Sequence, residues 1–434
     1  MKNLVIACVS YLLPVYILCA QNPVIGSIGM SDPHVRVFND TIYLYTGHDS
    51  DPEDKTWVMK NWRVFSSTNL TNWTLRETIS PTDNYMDDNS TDCWAGDAAS
   101  RNGKYYFYFS DRKRGVGVMV ADSPTGPFTD PLGKPLVAPM HDPTILIDDN
   151  LHRTPYIIFG DKSGGGFHVA RLNEDMISLA EAPAPIKIYG EEWENAPEWM
   201  DKNYIFKRNG IYYLSWGCDY AVSDNIYGPY TCAGQLGKGY HLNEFAHGSF
   251  FEWKGQFYHI WCYYIQPGFK YRESIITYCH VDDDGNIVTD TKFLDKHFNN
   301  GVGQYNAAWE SIEAEWFYEI SGNIQKQGDV QNGFMLTNIK DGDWIKFANV
   351  SFKKEYHSCT AKVAFTGNEG FLQVTTDSVN GNVIGEATFP RAESSEGLQE
   401  VSFNTERFTG RKDIYFVFRG SENSHLTLDW YRFE

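Results

Sequence analysis

No basic block interrupts this chain. Its 37 lysines and arginines face 56 aspartates and glutamates, a net charge of −19 spread along the length. That balance argues against nucleic acid or an anionic membrane surface as a partner and favours a neutral substrate. No Cys-x-x-Cys pair occurs, which argues against a zinc ribbon or a redox dithiol. Cys93, Cys218, Cys232, Cys262, Cys279 and Cys359 are scattered; Cys218 and Cys232 lie close enough in sequence to bridge, and sequence leaves the pairing open. Helical periodicity is almost absent, since short aromatic and β-branched runs are broken by Gly, Asn, Asp and Pro. Beyond the N-terminus no apolar run is long enough to span a bilayer.

The one apolar run stands at the start. Lys2, the stretch Leu4–Leu18 and the small-residue exit Leu18-Cys19-Ala20 predict a secretory signal over 1–20, removed before Gln21. Export to the periplasm or the exterior is therefore expected. Cys19 suggests a lipoprotein, but Tyr16-Ile17-Leu18 lacks the small residues of a lipidation site, so anchoring is the lesser expectation.

What is abundant is aromatic: 15% of residues, with 27 Tyr and 13 Trp. Such residues favour strands and also suit surfaces on which sugars stack. A length of 434 residues predicts two domains.

A degenerate repeat organises the first of them. It reads Arg101-Asn-Gly-Lys-Tyr-Tyr-Phe-Tyr-Phe-Ser110, then Arg208-Asn-Gly-Ile-Tyr-Tyr-Leu-Ser-Trp216, then Trp253-Lys-Gly-Gln-Phe-Tyr-His-Ile-Trp261. Weaker copies stand at Phe38–Tyr45 and Thr154–Phe159. In each, a tight Asn-Gly-like turn closes a hairpin. One copy roughly every 50 residues matches one four-stranded blade per repeat, so the expected fold is all-β, a five-bladed β-propeller over 21–297. A β-sandwich of that length would not repeat at this spacing. The composition shifts at Phe298–Gln304, giving an expected linker over 298–308, and residues 309–434 have the length and turn spacing of a separate β-sandwich of jelly-roll type.

Three carboxylates are each tied to a different repeat. Asp32 in Ser31-Asp-Pro-His34 precedes the first strand, Asp142 in His141-Asp-Pro143 opens the third blade, and Asp201 stands six residues ahead of Lys207-Arg-Asn-Gly210. An inverting glycosidase needs two carboxyl groups roughly 6.5–9.5 Å apart around a water and the scissile bond, and blades converging on an axis can supply them.

Together with Tyr45-Thr-Gly-His-Asp49, Trp62–Ser67 with Asn72-Trp73, Cys93-Trp-Ala-Gly-Asp97, Asp122–Phe128, Leu172–Ser178 and His247-Gly-Ser249, these motifs make the span from Asp32 to about Val288 resemble glycoside hydrolase family 43. The likeness is strongest to its arabinoxylan-debranching members. It implies Asp32 as general base and Asp142 as the residue that orients and tunes the acid. At the acid position the family carries Glu and this chain Asp201, one methylene shorter; Glu198 and Glu194 just upstream are the alternatives. Trp94, His247 and Arg272 would line the substrate pocket.

The remainder resembles a family 6 carbohydrate-binding module through Ile312-Glu-Ala-Glu315, Gly333–Lys346 and Leu428–Phe433. That likeness implies a structural calcium held by Glu313, Glu315 and Asp429. The positions of the usual sugar-clamping Trp and Asn carry Leu398 and Thr427, which points to a structural role for the module. The expected protein is thus an exported, monomeric, inverting hydrolase that removes arabinofuranose or xylose from plant cell-wall polysaccharide. A sugar-binding protein without an acid and an exo-galactosidase on the same scaffold are the alternatives.

Overall fold

A computed structural model describes residues 18–19, 22–190, 201–237, 247–392 and 397–434. Strands dominate it, and their hairpins close where the repeats place them. Arg101 pairs with Lys104, Arg208 with Ile211 and Trp253 with Gln256 across two-residue turns. The turn residues Asn102-Gly103, Asn209-Gly210 and Lys254-Gly255 all have positive φ. This is the left-handed backbone region that two-residue type I′ turns require, and Asn and Gly adopt it most readily.

Among the described residues up to 289 the strands form five antiparallel sheets taken one after another along the chain, with one short parallel edge pairing. Each begins with a strand we label β1 (Met30–Phe38), β2 (Cys93–Arg101), β3 (Thr144–Ile147), β4 (Asn203–Arg208) and β5 (Gly248–Trp253). β1 touches β2, β2 touches β3, β3 touches β4, β4 touches β5, and β5 returns to β1, the arrangement of a β-propeller. Polar bonds cross each step of the ring. The Ile145 amide donates to Asp97 at 2.8 Å, Asn203 Nδ2 to the Asp142 carbonyl at 2.7 Å, Tyr204 Oη to the Phe250 carbonyl at 2.9 Å and the Val35 amide to Ser249 Oγ at 3.0 Å. The edge pair Leu18–Cys19 adds to Asn72–Ile79 of the first sheet; a signal cut after Ala20 would remove it. Residues 1–17 lie outside the described set.

The second unit is a sandwich of two six-stranded sheets. Its first strand, Tyr305–Asn306, pairs in parallel with Trp344–Phe352. Residues 298–308, the expected linker, are thus packed into the fold. Val302, Tyr305 and Ala307 are buried, and Gly301 and Gly303 turn the chain tightly with positive φ. Helix α1 (Thr291–His297), capped by Asp290, precedes this turn. Here one apolar core crosses from propeller to sandwich, joining Tyr258, Tyr278 and Phe293 to Trp316, Phe347 and Tyr431. Gln256 Nε2 donates to the carbonyls of Glu315 and Phe317 at 2.9 and 3.0 Å. Among the described residues no helix is long and apolar enough to cross a membrane.

Trp316 stands at the centre of this seam, 1% exposed and 5.2 Å from the Phe293 ring. Trp316→Ala should cost about 3–5 kcal/mol. Because the core is shared, chemical denaturation should show both units losing stability together; a loss confined to the sandwich would contradict the shared core.

Candidate functional site

Asp32 and Asp142 occupy a backbone region that few residues other than glycine accept, with φ of 47° and 55°. Each precedes a proline, which disfavours the right-handed helical region for the residue before it, and aspartate tolerates the left-handed region better than most. In β1 the pairing register slips between Ser31 and His34, so Asp32 and Pro33 leave the ladder. Proline has no N–H to lose there. Lys202, next to Asp201, also has positive φ. All three acids thus lie at or beside a kink in the chain where an inner strand begins.

They meet in one cavity of about 70 Å³. Asp32, Asp142, Asp201 and Arg272 line it together with Trp57 and Trp94, and Met59, Ala95 and Lys202 complete the wall. This is more than the roughly 10–15 Å³ that a single water needs, so the space is a hydrated pocket and not a packing defect.

On one side stands Asp32. Arg272 Nη1 donates to its Oδ1 at 2.8 Å, while Nε and Nη2 of the same guanidinium fork onto Asp49, each at 2.9 Å. His247 Nδ1 faces Asp32 at 3.8 Å. Burial raises the Asp32 pKa and Arg272 opposes that rise, leaving a net upward shift. Burial likewise keeps His247 neutral, its pKa well below the ordinary range. The nearby Cys262 thiol is pushed up by burial to about 12, so it stays protonated.

Opposite stands a carboxyl pair. Asp142 and Asp201 bring carboxylate oxygens within 4.8 Å of one another, close enough for each charge to disfavour the other. Burial first, then the charges of Asp201 and Asp32, push Asp142 well above the ordinary carboxylate range. Ser110 Oγ donates to Asp142 Oδ1 at 3.1 Å and fixes its orientation. The pocket therefore sets an arginine-bound carboxyl on one wall against a carboxyl that burial and like charge keep protonated on the other, and that combination suits general base and general acid work.

Beneath Asp32 the axis is filled. His34 and His247 share a hydrogen bond between their Nε2 atoms at 3.0 Å, and His34 Nδ1 lies 3.4 Å from Asp97. Asp97 in turn grips Arg36. Burial alone would raise the Asp97 pKa, but Arg36 and His34 outweigh it and hold the carboxyl well below its usual range. A second cavity, about 380 Å³, opens at the far end of the inner strands with Arg36, Phe38, Phe206 and Phe250 in its wall.

Of the residues expected from sequence, Asp32, Asp142, Asp201, Trp94 and Arg272 line the pocket, and His247 lies against Asp32. Glu194 and Glu198 fall in 191–200, outside the described residues. Sequence reading missed the pocket roles of Asp49, Trp57 and Lys202; Asp49 stood within a recognised motif, but nothing local shows that it meets Arg272. The three carboxylates expected to hold calcium do not form one ligand set among the described residues. Glu313 meets Lys292 at 2.9 Å and Asp429 meets Lys362 at 2.8 Å, so each is neutralised by a lysine, while Glu315 turns toward the propeller seam. This arrangement does not fit a hard ion that needs six or more oxygens.

Residues 20–221 match Glycosyl hydrolases family 43, and residues 313–434 match Carbohydrate binding module (family 6). An arabinoxylan arabinofuranohydrolase of Paenibacillus polymyxa is 27% identical, covering 95% of this chain and 74% of that protein. The crystal structure of an arabinoxylan arabinofuranohydrolase from Bacillus subtilis, in complex with cellotetraose, shares the fold over 96% of this chain and 99% of its own, with TM-score 0.56 and 24% identity. A beta-xylosidase/alpha-arabinofuranosidase from a compost microbial metagenome, in complex with xylotriose, covers 62% of this chain and 97% of its own at TM-score 0.55 and 27% identity.

Because the folded state binds a proton at Asp142 more tightly than the unfolded chain does, this group stabilises at low pH, and its contribution is lost as pH rises through the folded value. Asp142→Asn keeps the shape, donates permanently to Asp201 and removes the repulsion. Its melting temperature should exceed that of the wild type by a few degrees at pH 8, with the gap closing toward pH 4. A gap that widens toward low pH would contradict a proton held at Asp142.

Proposed function

We propose, from the match of residues 20–221 to Glycosyl hydrolases family 43 and of residues 313–434 to Carbohydrate binding module (family 6), that the pocket removes single terminal arabinofuranose or xylose units from a plant polysaccharide such as arabinoxylan, with inversion. The observation that carries this reading is the opposition of Asp32, bonded to Arg272, to the neighbouring carboxyls of Asp142 and Asp201 across one small cavity. Asp32 takes a proton from water as the water oxygen attacks the anomeric carbon. Asp201 gives its proton to the departing glycosidic oxygen on the other face. Asp142, buried beside Asp201, keeps that proton in place until the bond breaks. Trp57 and Trp94 offer aromatic walls to the sugar, and the buried Trp94 Nε1 has no protein acceptor.

The ring of five inner strands supports reading the sheets as five blades. The apolar leader at Leu4–Leu18 supports export of the chain. The shared core supports a structural role for the C-terminal module, consistent with Leu398 and Thr427 at its usual clamp positions.

Asp32→Asn should lower turnover roughly 10²–10⁴-fold in a folded protein, because an amide cannot accept the proton from water. Asp201→Ala should cripple hydrolysis of arabinoxylan but spare a dinitrophenyl glycoside, whose leaving group departs without protonation. If that selective loss follows Glu198→Gln or Glu194→Gln instead, the acid is the upstream residue. The pH profile of kcat/KM should be bell-shaped. Its acid limb reflects Asp32 and lies above the ordinary aspartate value; its alkaline limb reflects loss of the proton held at Asp142 and Asp201. A rate flat into the alkaline range would exclude the pair as acid.

A further inference from the structure

Three buried ligand-type side chains converge away from the catalytic pocket, where propeller and sandwich meet. His280 comes from strand Arg272–Val281 of the fifth sheet, Asp290 caps α1, and Glu315 lies in the short turn Ala314–Trp316 at the start of the sandwich. One nitrogen or oxygen of each lies within 4.8 Å of those of the other two. His280 is 1%, Glu315 4% and Asp290 7% exposed. His280 Nε2 is 2.9 Å from Asp290 Oδ2.

This cluster is under-satisfied as protein alone. Glu315 Oε2 and His280 Nδ1 are buried with no hydrogen-bond partner. A buried polar atom without a partner is costly, and two carboxylates close together in a dry seam repel each other. The neighbouring Lys326 ammonium is engaged elsewhere, donating to Gln256 Oε1 at 2.7 Å and to the Cys279 carbonyl at 2.9 Å.

We propose that His280, Asp290 and Glu315 bind one divalent transition-metal ion of the zinc type at the junction of the two units. A dication with a neutral imidazole and two carboxylates is electrically balanced, so it offsets the mutual repulsion of the two buried carboxylates. Nitrogen together with carboxylate oxygen is a zinc-like donor set, whereas calcium takes oxygen alone. The supporting contacts around it already exist. Trp316 Nε1 donates to Asp290 Oδ2 and the Phe293 amide to Oδ1, both at 2.7 Å, which fixes the carboxylate. The Phe334 ring stacks on the imidazole at 4.2 Å. Such outer contacts orient metal ligands. Two ligands come from the propeller and one from the sandwich, so the ion ties the units together.

The test uses the full chain. Protein dialysed in metal-free buffer is assayed for bound metal by elemental analysis and melted with and without chelator, then with zinc or calcium restored. One zinc-type ion per chain is expected, with a melting temperature that falls several degrees on chelation, recovers with zinc and does not recover with calcium. Both His280→Gln and Glu315→Gln should abolish the zinc response. Absence of a bound transition metal with melting indifferent to chelator would overturn the proposal, as would recovery with calcium alone. Glu315→Gln is also decisive where His280→Gln does not fold: if the seam holds only a protonated Glu315, the amide is its isostere and the variant melts no lower than the wild type. That result overturns the site.

Discussion

The Arg272 guanidinium is the contact on which the catalytic half depends. It forks onto Asp49 and reaches Asp32 with its remaining nitrogen, while its own backbone amide donates to Asp49 at 2.8 Å. Burial would lower the Arg272 pKa, but Asp32 and Asp49 together raise it well above its usual value. Removing one member of such a buried set leaves the others without their counter-charge, a loss of about 3–5 kcal/mol. The same contact fastens the last sheet to the first and so closes the ring. One side chain thus contributes both to ring closure and to lowering the cost of a charge on Asp32.

What the sequence made legible was local. Hairpin turns announce themselves through Asn-Gly pairs, and the left-handed residues at 102, 209 and 254 follow from the same chemistry. The acids Asp32, Asp142 and Asp201 could be placed at strand starts because proline or a turn stands beside each. Arg272 and Asp49 are 223 residues apart, and no periodicity links them. Trp57 and Lys202 reach the pocket from loops, whose path the strand pattern does not constrain. Residues 298–308 look like a tether in composition, yet Val302 and Tyr305 are drawn into a core that only the assembled units create. Glu313 and Asp429 show the same limit, because their lysine partners are remote in sequence.

The seam gives the C-terminal module a reason to persist apart from sugar binding. The fifth sheet presents Tyr258 and Tyr278 outward from the ring axis, and the sandwich covers them with Trp316 and Tyr305. Tyr278 Oη and Tyr305 Oη lie 3.1 Å apart, and Gln256 satisfies two carbonyls of the sandwich chain. A propeller without this cover would expose an aromatic surface to water, and patches of that kind associate with one another.

The filled axis governs traffic. His34, His247 and Asp97 are all at most 1% exposed, and they separate the pocket of Asp32 from the cavity at the far end of the strands. Among the described residues, a molecule in the pocket meets no rear exit. Under the proposed function the freed sugar leaves through the mouth by which the next polysaccharide branch enters, so the two exclude each other. Product inhibition is then competitive, and in a concentrated digest throughput follows the escape of sugar from a dead-end well.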